Sequence, residues 1–542
     1  MSSAAKVTTK MSASVASATV AAAEALAAGA PKSVLSIPSV VRHGSVALSD
    51  LTDKNGRQPG AAIRQVGCTR RIFLLDPNGQ LSSEEMEGLA YRIKMLSKNT
   101  SLNSIMCTSN LEKNENAVNP AIPTSVLQLE REAIVEAPNE LFERPTREQD
   151  LPTVASGYDH RLLQSLSGQE KRKTLIALRN LALAVKGNVN NPQANTKGKN
   201  GTGNGGGNVD ESKIPFISAP SGITTDGGYA LSMGSYVLAT PDSRFQIMNP
   251  MRGLSLDPIG LSYILPRLGW EFQQQSALYP VGMVLGLTGF VADASDMVET
   301  GLATNFVDSA TKLGSLERAL ANLTPYEHQK LIKEPTKKYG QTDDARSRNR
   351  DINAKHRNVA VSGLLSTISN YDAMGQDMYD SKLMAGIGAD EDPTLVLDAD
   401  KLDIFGDRVS MLVNIAGTFQ EVFEKQDSVE GIMEKMREYA SASAKTDEEI
   451  EFVHVAKDLL YGMESQSPLA LCATHELLKL GKGRQETLSS CMGREMRVQL
   501  KLLEKDDFND WAKSGMEAGE FKDWNHKSVK DVTKDEIEEL LK

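Results

Sequence analysis

The sequence predicts an α/β fold, a core of βαβ units followed by a mostly helical C-terminal half. Three observations carry this reading. First, Arg71–Leu75 (RIFLL) reads as a strand closed by the turn Asp76-Pro-Asn-Gly, and Ser82-Ser-Glu-Glu85 is a capping box. Met86, Leu89, Ile93 and Leu96 then repeat at helical spacing before a second strand at Ser104–Thr108, and strand, helix, strand in so short a span is a right-handed crossover. Second, buried strands recur at Ile214–Ala219 and Tyr236–Thr240. Third, strand signals fade beyond about residue 310, and 447–463, 468–481 and 488–503 each carry an amphipathic helical period.

The remaining segments fall between these elements. Residues 1–42 carry Lys6, Lys10, Lys32 and Arg42 against the single acid Glu24, in an Ala/Ser/Val background. That composition is the one organellar transit peptides show, with a disordered tail as the plainer alternative, so 1–45 is set apart from the fold. Structure is expected from near residue 70, within a core at 65–310. Two insertions interrupt it: the polar, aperiodic stretch 109–151 and the Gly/Asn-rich 187–212, flanking a helix at 169–186. Residues 311–404 read as a linker and helical insertion, and 405–542 as the helical C-terminal region, whose last helix begins at the capping box Thr533-Lys-Asp-Glu536.

Composition sets limits on function. The 542 residues carry a net charge of −11, which argues against a general nucleic-acid binder, since polyanions demand a positive footprint, and leaves only a local basic patch for such a contact. Four scattered cysteines make neither a disulfide framework nor a metal knuckle, and Cys107 and Cys472 sit in apolar contexts that suit a core. The seven histidines have no metal-ligand spacing, so no metal is expected. No run spans a bilayer: 277–294 is broken by Pro280, glycines and Asp293. A local basic run at 337–357 sets seven bases against three acids, either a phosphate grip or a solvated surface.

The chemistry-bearing stretch is Ser221-Gly-Ile-Thr-Thr-Asp-Gly-Gly-Tyr-Ala-Leu-Ser232, between a buried strand and a helix. Its glycines let backbone approach a ligand closely and leave N–H groups facing it. With Phe245–Gly253 (FQIMNPMRG), Asp257-Pro-Ile-Gly260, Tyr263–Leu268, Leu287-Thr-Gly-Phe290 and Gly301–Asp308, it resembles the signature of the 3-hydroxyisobutyryl-CoA hydrolases of the crotonase superfamily. Ala155-Ser-Gly-Tyr-Asp-His-Arg161 is similar to that family's Ala-Gly-Gly-Asp-Ile-Arg turn, and Ser467–Leu471 and Glu495–Phe508 to its C-terminal helices. The resemblance covers roughly 70–310 and 405–542, and implies a crotonase-type spiral of repeated ββα units.

The resemblance also implies a site. The oxyanion hole falls on the backbone N–H groups of Tyr158 and Gly227, with Gly157, Asp159 and Gly228 as substrate-binding neighbours. Removing one such donor costs ~10²–10³ in rate. The family's catalytic glutamate falls at Asn249, an amide with no basic lone pair near neutrality, and losing a general base costs ~10²–10⁴. The second acid is present as Asp257, which otherwise reads as the N-cap of a helix begun by Pro258. Ala230 stands where hydratases carry a glutamate, which speaks against hydratase activity, and His160 reads as a surface histidine.

Two functions follow as expectations. One is an acyl-CoA scaffold with weakened or lost catalysis, serving a mitochondrial assembly such as the small ribosomal subunit through ribosomal proteins or RNA. The other is a matrix 3-hydroxyisobutyryl-CoA hydrolase of valine breakdown relying on Asp257. Either takes an acyl-CoA thioester as partner and needs no cofactor beyond the CoA of the substrate; a homo-oligomer is one option if the protein is free, since crotonase relatives assemble as trimers or hexamers while hydrolases of this branch vary.

Overall fold

The computed structural model describes residues 35–37, 60–109, 153–187, 214–268, 280–323, 357–369 and 410–542, a few positions within these stretches excepted. Most of the expected transit segment, both insertions apart from their edges, much of 311–404, and the basic run 337–357 except Arg357 lie outside the described residues.

Among the described residues, ten strands form two sheets. A seven-stranded sheet has the order β1 (Leu35–Ile37), β2 (Ala61–Val66), β3 (Thr69–Leu74), β4 (Ser104–Ser109), β6 (Phe216–Ala219), β8 (Tyr236–Ala239), β10 (Asn305–Phe306). It is parallel throughout except for the antiparallel β2–β3 pair. A three-stranded parallel sheet joins β5 (Thr153–Ala155), β7 (Ile223–Thr225) and β9 (Arg244–Gln246). From β4 onward successive strands alternate between the sheets, and a helix or 3₁₀ turn follows each pair, which is the expected ββα spiral. Strands β1 and β2 precede residue 70, where the sequence showed no strand signal. Each is held by neighbour pairing, a non-local term that local periodicity does not carry.

Helix α1 (Ser83–Leu96) opens on the expected capping box and buries Met86, Leu89, Ala90 and Ile93. Following the short α2 (His160–Ser165), the long α3 (Gly168–Lys186) packs against α1 and buries Leu175, Leu178, Leu181 and Val185. Each fully buried leucine contributes roughly 1.5–3 kcal/mol of transfer free energy. Short helices α4 (Leu261–Ile264), α5 (Val281–Thr288) and α6 (Ala294–Thr300) complete the spiral. On the other face of the seven-stranded sheet, α7 (Ala310–Asn322) lays Leu313, Leu316 and Leu320 over Met106, Ile217 and Leu238, with Val361 and Leu365 from a following helical segment.

The C-terminal region is helical: α8 (Met411–Thr418), α9 (Gln420–Lys425), α10 (Val429–Ala440), α11 (Asp447–Glu464), α12 (Pro468–Gly481), α13 (Leu488–Leu502), α14 (Asp506–Ser514) and α15 (Lys534–Leu541). It shares one apolar core with the spiral. Buried carboxylates stitch the two together. Asp296 of α6 accepts from the Leu412 N–H and from Ser410 Oγ at the start of α8. Glu495 of α13 accepts the N–H groups of Gly260 and Ser262, each over 2.7 Å.

Candidate functional site

The three strands of the small sheet end at one place, and each delivers one turn to it. After β5 the chain turns through Gly157, whose φ of +87° is a left-handed value that glycine adopts without strain, into Tyr158. After β7 it enters the 3₁₀ turn Asp226–Ser232. After β9 it reaches Asn249, first residue of a second 3₁₀ turn. The first two turns touch: a Cβ on Gly157 would lie 2.9 Å from the Gly227 carbonyl carbon, and one on Gly228 would lie 1.9 Å from the Ala155 carbonyl oxygen. Glycine is required at both because backbone packs against backbone.

Asp226 sits at φ +41°, strained for a residue with a Cβ, and its carboxylate secures that conformation. Oδ1 accepts the N–H groups of Met248 and Asn249 over 2.8 and 3.0 Å, and Oδ2 pairs with Arg252 Nη1 at 2.9 Å. The ion pair therefore ties the glycine turn to the Asn249 turn. Burial raises the Asp226 pKa, while Arg252 and the two backbone donors pull it the other way.

The amide of Asn249 is fully buried and locked. Its Nδ2 donates to the Ser255 carbonyl over 2.9 Å, and its Oδ1 lies 3.0 Å from His160 Nε2. A carbonyl only accepts, so Ser255 fixes which end of the amide is nitrogen; Oδ1 then faces His160, whose Nε2 must carry the proton and donate. Burial, then the Arg252 charge, holds His160 well below the ordinary histidine range, so the ring is neutral. His160 is thus a buried part of the site. The surface position read from the sequence is incorrect, because α2 starts here on the Asp159 cap and turns the ring inward beneath Tyr158 (ring centroids 4.6 Å apart) and towards Trp511 of α14.

Asp257 is also fully buried. Its Oδ1 accepts from Tyr158 Oη over 2.7 Å and from Gln499 Nε2 over 3.1 Å. Its Oδ2 has no partner among the described residues and lies 3.0 Å from the position a Cβ on Gly227 would occupy. Burial, then repulsion from Asp226, pushes its carboxyl up to about 7, while the Tyr158 hydrogen bond opposes. The helix-cap reading of Asp257 is corrected: α4 begins only at Leu261, after Gly260 at φ +89°. Tyr158 is itself 2 % exposed, its side chain reaching from the turn after β5 to Asp257. Asp159 lies apart, its Oδ1 accepting from Arg161 and Leu162 as the cap of α2.

Sequence reasoning missed the supports from α13. Glu495 and Gln499, four residues apart, both reach the 255–262 loop, with Gln499 Oε1 accepting from the Ser255 N–H over 3.0 Å. Burial pushes Glu495 up to about 7. The signal available was a pair of polar residues on an apolar helix face lined by Met492, Met496 and Leu502. Among the described residues the nearby cavity measures about 10 Å³, bordered by Thr108, Ala155, Ser218, Thr224 and Ser232, room for about one water. No three His, Cys, Asp or Glu side chains converge as metal ligands among the described residues, and no described helix is long and apolar enough to cross a membrane.

Comparison with known proteins places this site in a family. The profile of the family described as enoyl-CoA hydratase/isomerase matches residues 208–385 and 400–541. Mitochondrial 3-hydroxyisobutyryl-CoA hydrolase of Rattus norvegicus is 25% identical over 331 residues, 60% of this chain and 63% of that protein. The protein of the same name from Xenopus laevis is 38% identical over 109 residues, 20% of this chain and 26% of its own. The chain therefore spans less than two thirds of these relatives. Among solved structures, a carnitinyl-CoA dehydratase from Mycobacterium thermoresistibile superposes with a TM-score of 0.53 at 15% identity, covering 89% of this chain and 96% of that one, a likeness of fold.

Proposed function

The chain belongs to the enoyl-CoA hydratase/isomerase family, and we propose that within it this is a 3-hydroxyisobutyryl-CoA hydrolase-like protein that has lost thioester hydrolysis and serves as a structural subunit of a mitochondrial assembly such as the small ribosomal subunit. The observation that carries the loss of catalysis is the Tyr158–Asp257 hydrogen bond of 2.7 Å. In this reading Tyr158 takes the room an acyl group would need, and its hydroxyl holds an oxygen of the remaining carboxylate. The position of the family's glutamate holds an amide whose two ends are already engaged, so no group there attacks a thioester or activates water. The backbone N–H groups of Tyr158 and Gly227 are, in this reading, a vestigial oxyanion hole kept because the touching turns hold the fold. The names of the relatives support a mitochondrial location.

A second reading rests on Asp257 Oδ2, which has no partner among the described residues and is aimed at Gly227. With Tyr158 displaced, that oxygen is positioned to activate water, at a rate far below the family's. One assay separates the readings. Purified full-length protein is given 3-hydroxyisobutyryl-CoA and free thiol is followed; the first reading expects release no faster than the blank. Release measurably above the blank, even far below the ordinary enzymatic range of about 1 s⁻¹, overturns it, and its loss in Asp257→Asn assigns it to the second reading. Co-sedimentation of the protein with ribosomal particles from an organelle lysate tests the structural role, and migration only as a small free oligomer counts against it.

A further inference from the structure

We infer that the end of the α1–α3 helix pair remote from the acyl site is a binding surface for the phosphate backbone of RNA. The inference deepens the structural-subunit reading but is measured without a thioester, so each stands or falls separately.

The surface is built by topology. Helix α1 returns between the parallel strands β3 and β4, and α3 returns to β6, parallel to β4, so the two helices run side by side in the same direction, with the Lys173–Glu84 pair at 3.3 Å joining their N-terminal parts. Arg92, eight residues beyond Glu84, and Arg179, six beyond Lys173, are then level within about 3 Å along the helix axes at 1.5 Å per residue. The C-terminal ends lead into β4 and towards β6, at the edge where Thr69 Oγ1 meets Ser104 Oγ and the Ile105 N–H meets the Pro215 carbonyl. The acyl-site turns lie at the opposite ends of the strands. Arg70 on β3 shares the sheet face of Ile72 and Leu74, so it points to the helix side of that same edge.

Charge separates this end from the rest of an acidic chain. Residues 91–98 and 174–186 contain Arg92, Lys94, Lys98, Arg179 and Lys186 and no aspartate or glutamate. With Arg70 this makes six cations, none of which forms an ion pair with a carboxylate among the described residues, while Lys171 and Lys173 nearer the other end do find partners. The Nε atoms of Arg92 and Arg179 are buried without an acceptor among the described residues. Burial lowers the pKa of Arg70, Arg92 and Lys186, and no carboxylate counters it. Half-buried cations held without counter-ions are costly unless an anion arrives. The helix dipole accounts for Lys94 and Lys186 in the last turns; it reaches neither Arg179, two turns from the end, nor Arg70 on a strand.

The surface favours RNA over other polyanions. Two arginine forks suit phosphate oxygens bidentately. Tyr91, 39 % exposed beside Arg92, offers a ring for an unpaired base, with Ile176 and Met95 exposed between the cations. An anionic bilayer would need a longer apolar stripe, and an acidic peptide has no use for the ring.

The test uses the full-length protein and a fluorescent mixed-sequence single-stranded RNA, with anisotropy read at about 50 and 200 mM KCl. For five phosphates neutralised, a slope of ~0.7 per phosphate predicts about 100-fold weaker binding at the higher salt. Changing Arg92, Lys94, Lys98 and Arg179 to Glu is expected to weaken binding at least tenfold and flatten the salt slope, whereas Lys457→Glu/Lys534→Glu changes neither. A four-fold change to Gln at the same positions, checked by its melting curve, gives the same direction if the Glu variant fails to fold. No binding by wild type at low salt, or unchanged affinity and slope in the Gln variant, overturns the proposal. So does polyglutamate or an anionic vesicle binding as tightly, with the same loss in the variant.

Discussion

Tyr158 Oη donates to Asp257 Oδ1 over 2.7 Å, joining the turn after β5 to the loop after β9 with both side chains buried. A hydroxyl and a carboxylate taken out of water together gain a charge-assisted hydrogen bond. On the proposed reading, the same contact lies where a thioester would react, so what stabilises the site would also block it.

Restoring the family's glutamate is expected not to yield thioester hydrolysis. In Asn249→Glu one carboxylate oxygen faces the Ser255 carbonyl, which the amide now satisfies over 2.9 Å, and the Tyr158–Asp257 contact is untouched. The expected result is no thiol release from 3-hydroxyisobutyryl-CoA and a loss of about 1–3 kcal/mol in denaturant unfolding, the cost of an unmet buried acceptor. Thiol release by the single variant refutes the blocked-site argument.

Asp257 and Glu495 respond oppositely to amidation. Asp257 takes both its donors on Oδ1, so Asp257→Asn keeps them and removes an ionisable group. Glu495 uses one oxygen for each backbone N–H, so Glu495→Gln turns a donor on a donor and loses about 1–3 kcal/mol. Equilibrium unfolding at neutral pH is expected to find the first variant at least as stable as wild type and the second clearly weaker.

The pH dependence follows from the same carboxyls. Asp257 is pushed up to about 7 in the fold, above its usual value of 3.8, so the unfolded chain gives up this proton first as pH rises. Its contribution to stability is whole below about pH 4, declines as pH rises to about 7, and is level beyond. Glu495 declines over a similar window. Unfolding free energies measured from pH 5 to 8 should fall less steeply in Asp257→Asn than in wild type; parallel profiles would remove Asp257 as a cause.

Arg252 neutralises Asp226 in a buried pair at 2.9 Å that holds both turns. Arg252→Met leaves the strained Asp226 uncompensated, with an expected loss of about 3–5 kcal/mol. Calorimetry that finds Arg252→Met within 1 kcal/mol of wild type, on the same ~1 kcal/mol scale as a surface pair, would show that the pair does not hold the site.

Gly228 and Gly168 make a matched test of close approach. A Cβ at 228 would fall 1.9 Å from the Ala155 oxygen, whereas nothing lies within 4 Å of one at 168. Gly228→Ala is expected to prevent folding or shift the backbone of the turn, and Gly168→Ala, in the first turn of α3, to change stability by no more than about 1 kcal/mol.

Much of the fold was legible from local chemistry. Ser82 and Thr533 announce their helices by capping boxes, and α11, α12 and α13 fall within a residue or so of their hydrophobic periods. The ordered motifs located the family and drew attention to Tyr158, Gly227, Asn249 and Asp257. Those are properties of sequence neighbours, set by side-chain spacing and hydrogen bonds within a few residues. The state of the site was a tertiary matter. That His160 turns inward to Asn249 and that Asp257 is held by Tyr158 and Gln499 with no helix to cap depend on contacts 89 to 242 residues apart in sequence, while the Ser255 bond that locks Asn249 spans six residues in an irregular loop that no periodicity announces. Whether a buried polar group is poised or spent depends on which donors the fold brings to it, and no local pattern records that.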